Sequence, residues 1–493
     1  MTSNPLVYDT MAAGDSPSSI NAESPVPLLA RGRGNVAAAA VEEEWQSVPR
    51  TFFVACVAVL NQVTFGYDVG AVSQCLRPIS HEFSLSPLEL GAVTSALNFF
   101  AAGGALLVSG FLLDRYGRRV SLVAAAVLLI AGGTAVAAAA SYAALVFGRF
   151  LQGLGVGCSW AASGIYVTEI APPARRGALV ALVDVAINLG IVAGYCCAYA
   201  IEAYEVGSRA RVAPWRVAMG ASVVPPLLFL LAAPWMPESP RFLAARGRDD
   251  DALEALRRLK KPTASPAPIL RARDALAAAA RADAGEDSTW ARAAVEGRYA
   301  GLLAIAQQAT GTEAILYFSP TVLPGGSKLV AFVGNAGVGA AKFFGEVLAA
   351  AVGDSPRLGR RSMTVRGSAG VCGGLFAFAF LVKRRDPPPA ALIAALSFVM
   401  LAFSLGPGPF TTVFLNEVVP TRHRAKSSAL ATFYNRITSA CVALSFLPLS
   451  AALGAAPVFA AYGAVAAAAT VLYARTLPET VGVSLENLHG GVY

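Results

Sequence analysis

The chain has 493 residues, of which 55% are hydrophobic and only 14% charged, and its mean hydropathy is +0.56. Soluble globular proteins carry about 25% charged residues, so this composition excludes that class and indicates a protein that crosses the membrane many times. The net charge of +8 does not indicate nucleic-acid binding, because many basic residues lie in short loops where they set topology. The seven cysteines lack metal-ligand spacing and the three histidines lie in loops or the tail, so we predict no metal, no cofactor and no histidine-based catalytic site.

The apolar segments predict an all-α membrane protein with twelve transmembrane helices in two six-helix halves. Residues 1–50 are predicted to be a disordered cytoplasmic tail, 51–236 the N-terminal half, 237–298 a cytoplasmic helical loop, 299–475 the C-terminal half and 476–493 a second cytoplasmic tail. Within the loop, leucines at helical spacing predict an amphipathic helix over residues 249–261. The predicted spans, numbered 1 to 12, cover approximately residues 51–76, 89–113, 120–139, 142–165, 178–202, 217–236, 299–323, 329–353, 367–382, 391–418, 427–450 and 454–474.

Span 1 contains one acid, Asp68, which is the only formally charged residue between Arg50 and Arg77. Counted from the outer ends of their helices at 1.5 Å per residue, Asp68 and Arg149 of span 4 both lie about 12–14 Å deep, so the two charges can pair. One interpretation is a static structural ion pair. The other is a proton switch, in which protonation of Asp68 frees Arg149, and intramembrane acids are functional by default.

Lysine and arginine are unevenly distributed between the predicted loops. With the amino terminus inside, the inner loops hold 24 of them and the outer loops eight, which predicts that both termini and the central loop are cytoplasmic.

The two halves carry the same motifs at nearly the same offset. Arg115-Tyr116-Gly117-Arg118-Arg119 recurs 242 residues later as Arg357-Leu358-Gly359-Arg360-Arg361, and Pro237-Glu238-Ser239 recurs 241 residues later as Pro478-Glu479-Thr480. Glu169 with its arginines recurs as Glu417, 248 residues on. This repetition predicts a duplicated six-span unit, and transporters built from repeats bind solute near the midplane and alternate access by rocking their halves.

Several motifs occur along the chain in a fixed order. They are Phe65-Gly66-Tyr67-Asp68, Asp114 to Arg119, Gly148-Arg149, Glu169, Arg175-Arg176-Gly177, Pro237 to Arg241, Gln307 to Gly311, Gly406-Pro407-Gly408-Pro409 and Pro478-Glu479-Thr480. Taken together, they resemble those of the sugar porter family of the major facilitator superfamily, over residues 45–486. Asp184 and Asn435-Arg436 make the chain most similar to the plant polyol and monosaccharide transporters.

The resemblance implies that Asp68 and Arg149 couple transport to a proton and that the solute lies among spans 5, 7, 10 and 11. Carboxylates and amides suit a polyhydroxylated ligand because they can bond several hydroxyls; the alternative is hydrogen bonding between helices. Thr412 departs from the family, which usually has Trp there. The expected substrate-binding residues are Asp184, Asn188, Gln307, Gln308, Glu313 and Asn435.

Charged residues at the inner helix ends are expected to form a cytoplasmic gate, a latch that holds the outward-facing state. The alternative is anchoring by positive charge, although anchoring does not need the acids that recur in both halves. The expected gate residues are Arg115, Arg118, Arg119, Glu169, Arg175, Arg360, Arg361, Glu417 and Arg422.

The sequence therefore predicts a proton-coupled symporter of a polyol or monosaccharide, not an enzyme. The alternatives are a passive facilitator and a transporter-like solute sensor. The expected partners are the solute, a proton and the lipid bilayer, with no nucleic acid, and the protein is expected to be a monomer. We expect the plasma membrane, with the vacuolar membrane as the alternative.

Overall fold

A computed structural model describes residues 47–107, 111–172, 176–205, 212–259, 266–283, 289–322, 328–353, 355, 358–384, 387–417 and 424–480. The regular structure in these ranges is helical, and they contain no strand. The helices form twelve spans, six before and six after a central loop, as the sequence predicts.

The six spans of the first half are continuous apart from a bend in span 1 and short 3-10 turns in span 6. Span 1 consists of Val48–Ala58 and Leu60–Phe83, which meet at 44°. Spans 2 to 6 are Pro87–Leu107, Arg118–Ala137, Tyr142–Ile170, Arg176–Glu205 and Pro214–Trp235.

Two spans of the second half are broken in the middle. Span 7 consists of Arg298–Ala309 and Thr312–Val322, separated at Gly311, whose φ of +76° favours glycine. Span 10 consists of Pro389–Leu405 and Pro407–Glu417, separated at Gly406. In span 10 the glycine is followed by Pro407, which lacks a backbone donor and so interrupts the helix. Spans 8, 9, 11 and 12 are Lys328–Val352, Arg360–Val382, Arg424–Leu453 and Ala455–Thr476.

The outer surface of the bundle is apolar. Leu231, Trp235, Phe344 and Phe380 are each more than 60% exposed, which a soluble protein would avoid in such number but which suits contact with lipid. Eight described helices are long and apolar enough to cross a membrane, and the bent span 1 makes a ninth. Of the other three, span 7 is broken, span 4 carries Arg149 and Glu169, and span 8 carries Lys342 and Glu346.

The packing of the helices repeats from one half to the other. Span 1 packs on span 5, span 2 on span 4, and span 3 on spans 4 and 6; in the second half, span 7 packs on span 11, span 8 on span 10, and span 9 on spans 10 and 12. Each pair in the first half has its counterpart six spans later, as a duplicated unit requires. The halves meet along spans 2 and 11, spans 5 and 8, and spans 1 and 7.

Glycines hold spans 1 and 5 unusually close together. A Cβ added at Gly66 would lie 1.8 Å from the Ile187 carbonyl oxygen, and one added at Gly190 would lie 2.2 Å from the Val63 carbonyl oxygen. Small residues at membrane helix interfaces allow such backbone approach. Asp68 lies within this crossing, so its backbone is fixed in the first half.

The central loop folds into short helices at one end of the bundle, which we call the loop face; the other end is the opposite face. The loop helices are Pro240–Ala245, Asp249–Leu259, Pro266–Asp283 and Trp290–Glu296. The predicted helix over 249–261 is observed as far as Leu259, whose carbonyl accepts a 2.8 Å hydrogen bond from the Ser47 amide. The other three loop helices were not predicted individually.

Candidate functional site

Asp68 and Arg149 form an ion pair inside the first half. Arg149 Nη1 lies 2.5 Å from Asp68 Oδ2, and the side chains are 1% and 2% exposed. Gln152, one turn further along span 4, lies 3.4 Å from the same nitrogen. Asp68 Oδ1 and the remaining nitrogens of Arg149 have no hydrogen-bond partner. The two residues predicted to lie at equal depth are therefore in direct contact. Each of them also has polar atoms that could accept or donate a further hydrogen bond.

The break in span 10 exposes backbone carbonyls to a glutamine of span 7. Gln307 Nε2 donates to the carbonyl oxygens of Pro407 and Gly408, each at 2.8 Å. Both acceptors lie in the first turn of the second segment, directly after the break at Gly406, so Gln307 is held at the Gly-Pro motif. The side chain is thereby fixed across the spans on which the solute is expected.

Asn435 of span 11 ties the two glutamines of span 7 together. Its Nδ2 donates to Gln307 Oε1 at 2.8 Å, and its Oδ1 accepts from Gln308 Nε2 at 3.2 Å. Three of the predicted substrate-binding residues therefore form one amide network. Gln308 Oε1 is buried and has no partner, so this network retains a free acceptor.

Arg436, the next residue of span 11, joins the two halves. It lies 3.8 Å from Glu313 Oε1 in its own half and donates to Asn98 Oδ1 of span 2 at 3.2 Å. Its guanidinium also lies over the rings of Phe65 and Trp160, 5.5 and 4.7 Å from their centroids. Stacking and forked donation are what distinguish arginine from lysine, so Arg436 is suited to this position between the halves.

The sequence reasoning did not assign Arg436 to the site, although the signal was available. Like Asp68, it is a charged residue deep in an apolar span. Asn98, Lys342 and Glu346 were also not assigned to the site. Lys342 and Glu346, four residues apart on span 8, form the ion pair that their spacing predicts, with 3.5 Å between Nζ and Oε1.

Asp184 and Asn188 lie one turn apart on span 5. Asn188 donates to the Asp184 backbone carbonyl at 2.9 Å, while its own Oδ1 is buried without a partner. The Asp184 carboxylate is partly buried and interacts electrostatically with Lys342 and Arg436, both in the second half. Spans 5, 7 and 11 thus bring the predicted substrate-binding residues to one region between the halves, and Lys342 of span 8 lies beside it.

Between this region and the opposite face, the halves are held together by contacts to the second segment of span 7. Tyr195 of span 5 donates to the Leu316 carbonyl at 2.8 Å, Asn98 donates to the Tyr317 hydroxyl at 3.2 Å, and Arg77 of span 1 donates to the Pro320 carbonyl at 3.5 Å. By contrast, the first segment of span 7 packs on spans 10, 11 and 12 of its own half. The hydrogen bonds that join the halves, as far as the described residues show, therefore lie at or beyond the central polar residues.

At the loop face, the predicted gate residues of the first half pair with one another. Arg118 binds Glu169 through two bonds, 2.7 and 2.9 Å long. The backbone amides of Arg118 and Arg119 donate to the Glu238 carboxylate at 2.9 and 3.1 Å. Burial raises the pKa of Glu238, although these amides and Arg118 act in the opposite direction. Glu238, which sequence reasoning did not assign to the site, thus caps the start of span 3.

The second half repeats this cap. The Arg360 amide donates to Glu479 Oε1 at 3.0 Å, and Arg361 donates to the Ala474 carbonyl at 2.6 Å. Arg115 instead lies over the rings of Phe111 and Tyr116. Arg175, Arg422 and the side chain of Glu417 lie outside the described residues, so their part in the gate stays a prediction.

With this geometry in place, comparison with known proteins identifies the family. The family model for sugar (and other) transporters matches residues 54–490. The chain belongs to this family of sugar porters. The resemblance inferred from the motifs is confirmed, and the protein is a membrane transporter rather than an enzyme.

Individual sugar porters resemble the chain over most of its length. Polyol transporter 5 of Arabidopsis thaliana is 30% identical over 471 residues, 89% of this chain and 85% of that protein. The glucose transporter GlcP of Staphylococcus epidermidis is 29% identical over 448 residues, 89% of this chain and 96% of that protein. Both likenesses therefore extend over both halves of the chain.

Solved structures of the proton:xylose symporter XylE share the fold. The form bound to 6-bromo-6-deoxy-D-glucose superposes with a TM-score of 0.77 and 26% identity, covering 90% of this chain and 99% of that one. The partially occluded inward-open form of XylE from E. coli gives a TM-score of 0.77 and 25% identity, covering 88% and 100%. The fold is that of the major facilitator superfamily, with twelve helices in two halves.

Proposed function

We propose that this sugar porter is a symporter that moves a polyol or monosaccharide together with a proton by alternating access. The observation that carries the proposal is the Asp68–Arg149 pair, buried in the first half beside the polar residues between the halves. Tyr317, which bonds to Asn98, lies within electrostatic reach of both Asp68 and Arg436. The proton site and the solute site would therefore be adjacent but distinct.

The chemistry of the pair explains how a proton could act on conformation. While Asp68 is ionised, its charge and that of Arg149 cancel inside the membrane. Protonation of Asp68 removes one charge and leaves Arg149 uncompensated, which is costly in a buried site. The guanidinium would then favour the conformation that gives it a new partner or water.

The solute would bind where the amide network and the central charges leave unpartnered oxygens. Gln308 Oε1, Asn188 Oδ1 and Glu313 Oε2 are buried acceptors without a hydrogen-bond partner. Such acceptors suit the hydroxyls of a polyol or monosaccharide. The names of the relatives, a polyol transporter, a glucose transporter and a xylose symporter, agree with this class. Thr412 in place of the usual Trp favours an open-chain polyol, which needs no stacking surface.

The loop-face charges would serve as the gate, and the loop face would be cytoplasmic. The bonds of Arg118 and Arg360 described above lie within one half, so they stiffen the ends of each half. A latch between the halves would form when the loop face closes and bring these charges together. We further propose that the protein works as a monomer in the plasma membrane.

Uptake into proteoliposomes tests the proposed function directly. A panel of radiolabelled hexoses, pentoses and polyols is offered with and without an inward pH gradient. One pH unit stores 1.36 kcal/mol per proton, so coupling to one proton supports about tenfold accumulation. We expect one solute class to accumulate and a protonophore to abolish the accumulation. Uptake that only equilibrates, unchanged by the gradient, would instead indicate a passive facilitator.

A further inference from the structure

Five charged side chains form a cluster between the halves, and the proposed coupling pair is not among them. Arg436 pairs with Glu313, and Lys342 pairs with Glu346. Asp184 lies within electrostatic reach of both cations and of Glu346. Asp184 belongs to the first half and the other four residues to the second. We call this set the cross-half cluster.

The contacts between spans 5 and 8 show why Asp184 meets Glu346. The two helices run in opposite directions, and Tyr199 stacks on Phe332 with 4.1 Å between ring centroids. Closer to the loop face, Gly339 lies against Tyr195 and Val192. Each step forward on span 8 therefore corresponds to a step back on span 5. Glu346, fourteen residues after Phe332, comes level with the position next to Asp184.

The charges of the cross-half cluster do not balance. It contains three acids and two bases, and Arg436 already pairs with Glu313. Lys342 therefore faces two carboxylates, one from each half. The side chains of Lys342 and Glu346 are only 13% and 6% exposed, and an uncompensated buried charge is costly. Two carboxylates that share one site are not both ionised readily.

No other described charge is placed to neutralise the extra acid. Span 8 packs on span 5, on both segments of span 10 and on the second segment of span 7. The titratable groups on these elements are Asp184, Glu313, Tyr317, Arg176 and Glu417 at the loop-face ends of spans 5 and 10, and the tyrosines, cysteines and glutamates further along span 5. The described cations near the cluster are Lys342 and Arg436, the latter also stacked on Phe65 and Trp160.

We propose that Asp184 and Glu346 bind one proton between them, with Lys342 as their shared counterion. The proton neutralises the cross-half cluster and allows span 5 to lie against span 8. When the halves separate at this contact, Lys342 and Glu346 remain a neutral pair on span 8, and Asp184 meets water and releases the proton. This site is separate from Asp68; its role in the transport cycle rests on the proposed alternating access, but its proton occupancy does not.

Infrared spectroscopy of the purified full-length protein in nanodiscs tests the proposal, because a protonated carboxyl group has its own carbonyl stretch. At neutral pH we expect one such band in the unmodified protein. Glu346→Gln and Asp184→Asn should each abolish it, because the remaining carboxylate then pairs with Lys342. Lys342→Met should roughly double it, because both acids then need a proton. Asp68→Asn is the control and should leave the band unchanged.

The outcomes separate this proposal from the proposed function. A band that survives both Glu346→Gln and Asp184→Asn, a band lost in Asp68→Asn, or no band in the unmodified protein would overturn it. The three cluster variants act independently, so one that fails to fold does not remove the test. If accumulation proves independent of the pH gradient, the proposed symport fails while the infrared pattern still decides the site.

Discussion

Two charged regions lie at the centre of this protein, and they differ in where their partners come from. Asp68 and Arg149 belong to the same half, on spans 1 and 4, and their charges cancel. The cross-half cluster draws Asp184 from span 5 and its partners from the second half, and it has one acid too many. Rocking one half against the other would leave the first pair intact and pull the second apart. The first pair can therefore be broken only by protonation of Asp68, whereas the cross-half cluster changes when the halves move relative to each other.

The largest effect should come from breaking the pair inside the first half. Arg149→Leu leaves Asp68 buried and unpaired, and removal of one partner of such a pair costs about 3–5 kcal/mol. We expect a large fall in the unfolding temperature of the purified protein. The double variant Asp68→Asn/Arg149→Leu should recover most of that stability, since no charge is left buried. If the single and double variants unfold at the same temperature, the pair does not contribute as described.

A somewhat smaller effect is expected at the link between the halves. Arg436→Leu removes the contacts to Glu313 and Asn98, and hydrogen bonds to charged groups contribute about 1.5–3 kcal/mol. Because 1.4 kcal/mol is tenfold in an equilibrium constant, apparent solute affinity should fall about 10- to 100-fold. Arg436→Lys keeps the charge without the forked donors, so its solute affinity should lie between those of the unmodified protein and Arg436→Leu. Equal solute affinity in the unmodified protein and both variants would show that Arg436 does not contribute to solute binding.

The rigidity of the first half is tested at the crossing of spans 1 and 5. The Cβ of Gly66→Ala would meet the Ile187 carbonyl oxygen at 1.8 Å, so the helices must separate, at a cost of about 1–3 kcal/mol. Gly103→Ala is the matched control, because nothing lies within 4 Å of its Cβ. Thermal unfolding of both variants checks this. A Gly66→Ala protein as stable as the control would show that span 1 is free to move on span 5.

The smallest effect should arise in the amide network. Gln308→Ala removes one neutral hydrogen-bonding side chain, worth about 0.5–1.5 kcal/mol, so the KM of uptake should rise roughly 2- to 12-fold with little change in stability. Asn61→Ala is the control: Asn61 donates to the Leu122 carbonyl within the first half, so it should lose stability and keep its KM. If Gln308→Ala instead loses stability and keeps its KM, the amide network serves helix packing alone.

Features that depend on one helix at a time could be predicted from the sequence. Apolar length and duplicated motifs predict the spans, and counting along each helix separately predicts that Asp68 and Arg149 lie at equal depth. The Lys342–Glu346 pair follows from their spacing on one helix. In each case the relevant distance is set by helix geometry alone.

Features that depend on how helices meet could not be predicted. The register between spans 5 and 8, which brings Asp184 level with Glu346, is set by packing of Tyr199 on Phe332. Arg436 was visible as a buried charge, but its partner Asn98 lies 338 residues away on the other half. Glu238 gave no signal as a cap of span 3, because 120 residues separate it from Arg118.

Accumulation by the Asp68→Asn variant shows whether Asp68 couples solute transport to the proton. The variant is reconstituted beside the unmodified protein and given the solute identified by the panel under an inward pH gradient. We predict that the unmodified protein concentrates the solute, while Asp68→Asn brings it only to equal concentrations on the two sides, because no proton can be taken up at position 68. Accumulation by Asp68→Asn to the level of the unmodified protein would contradict the account.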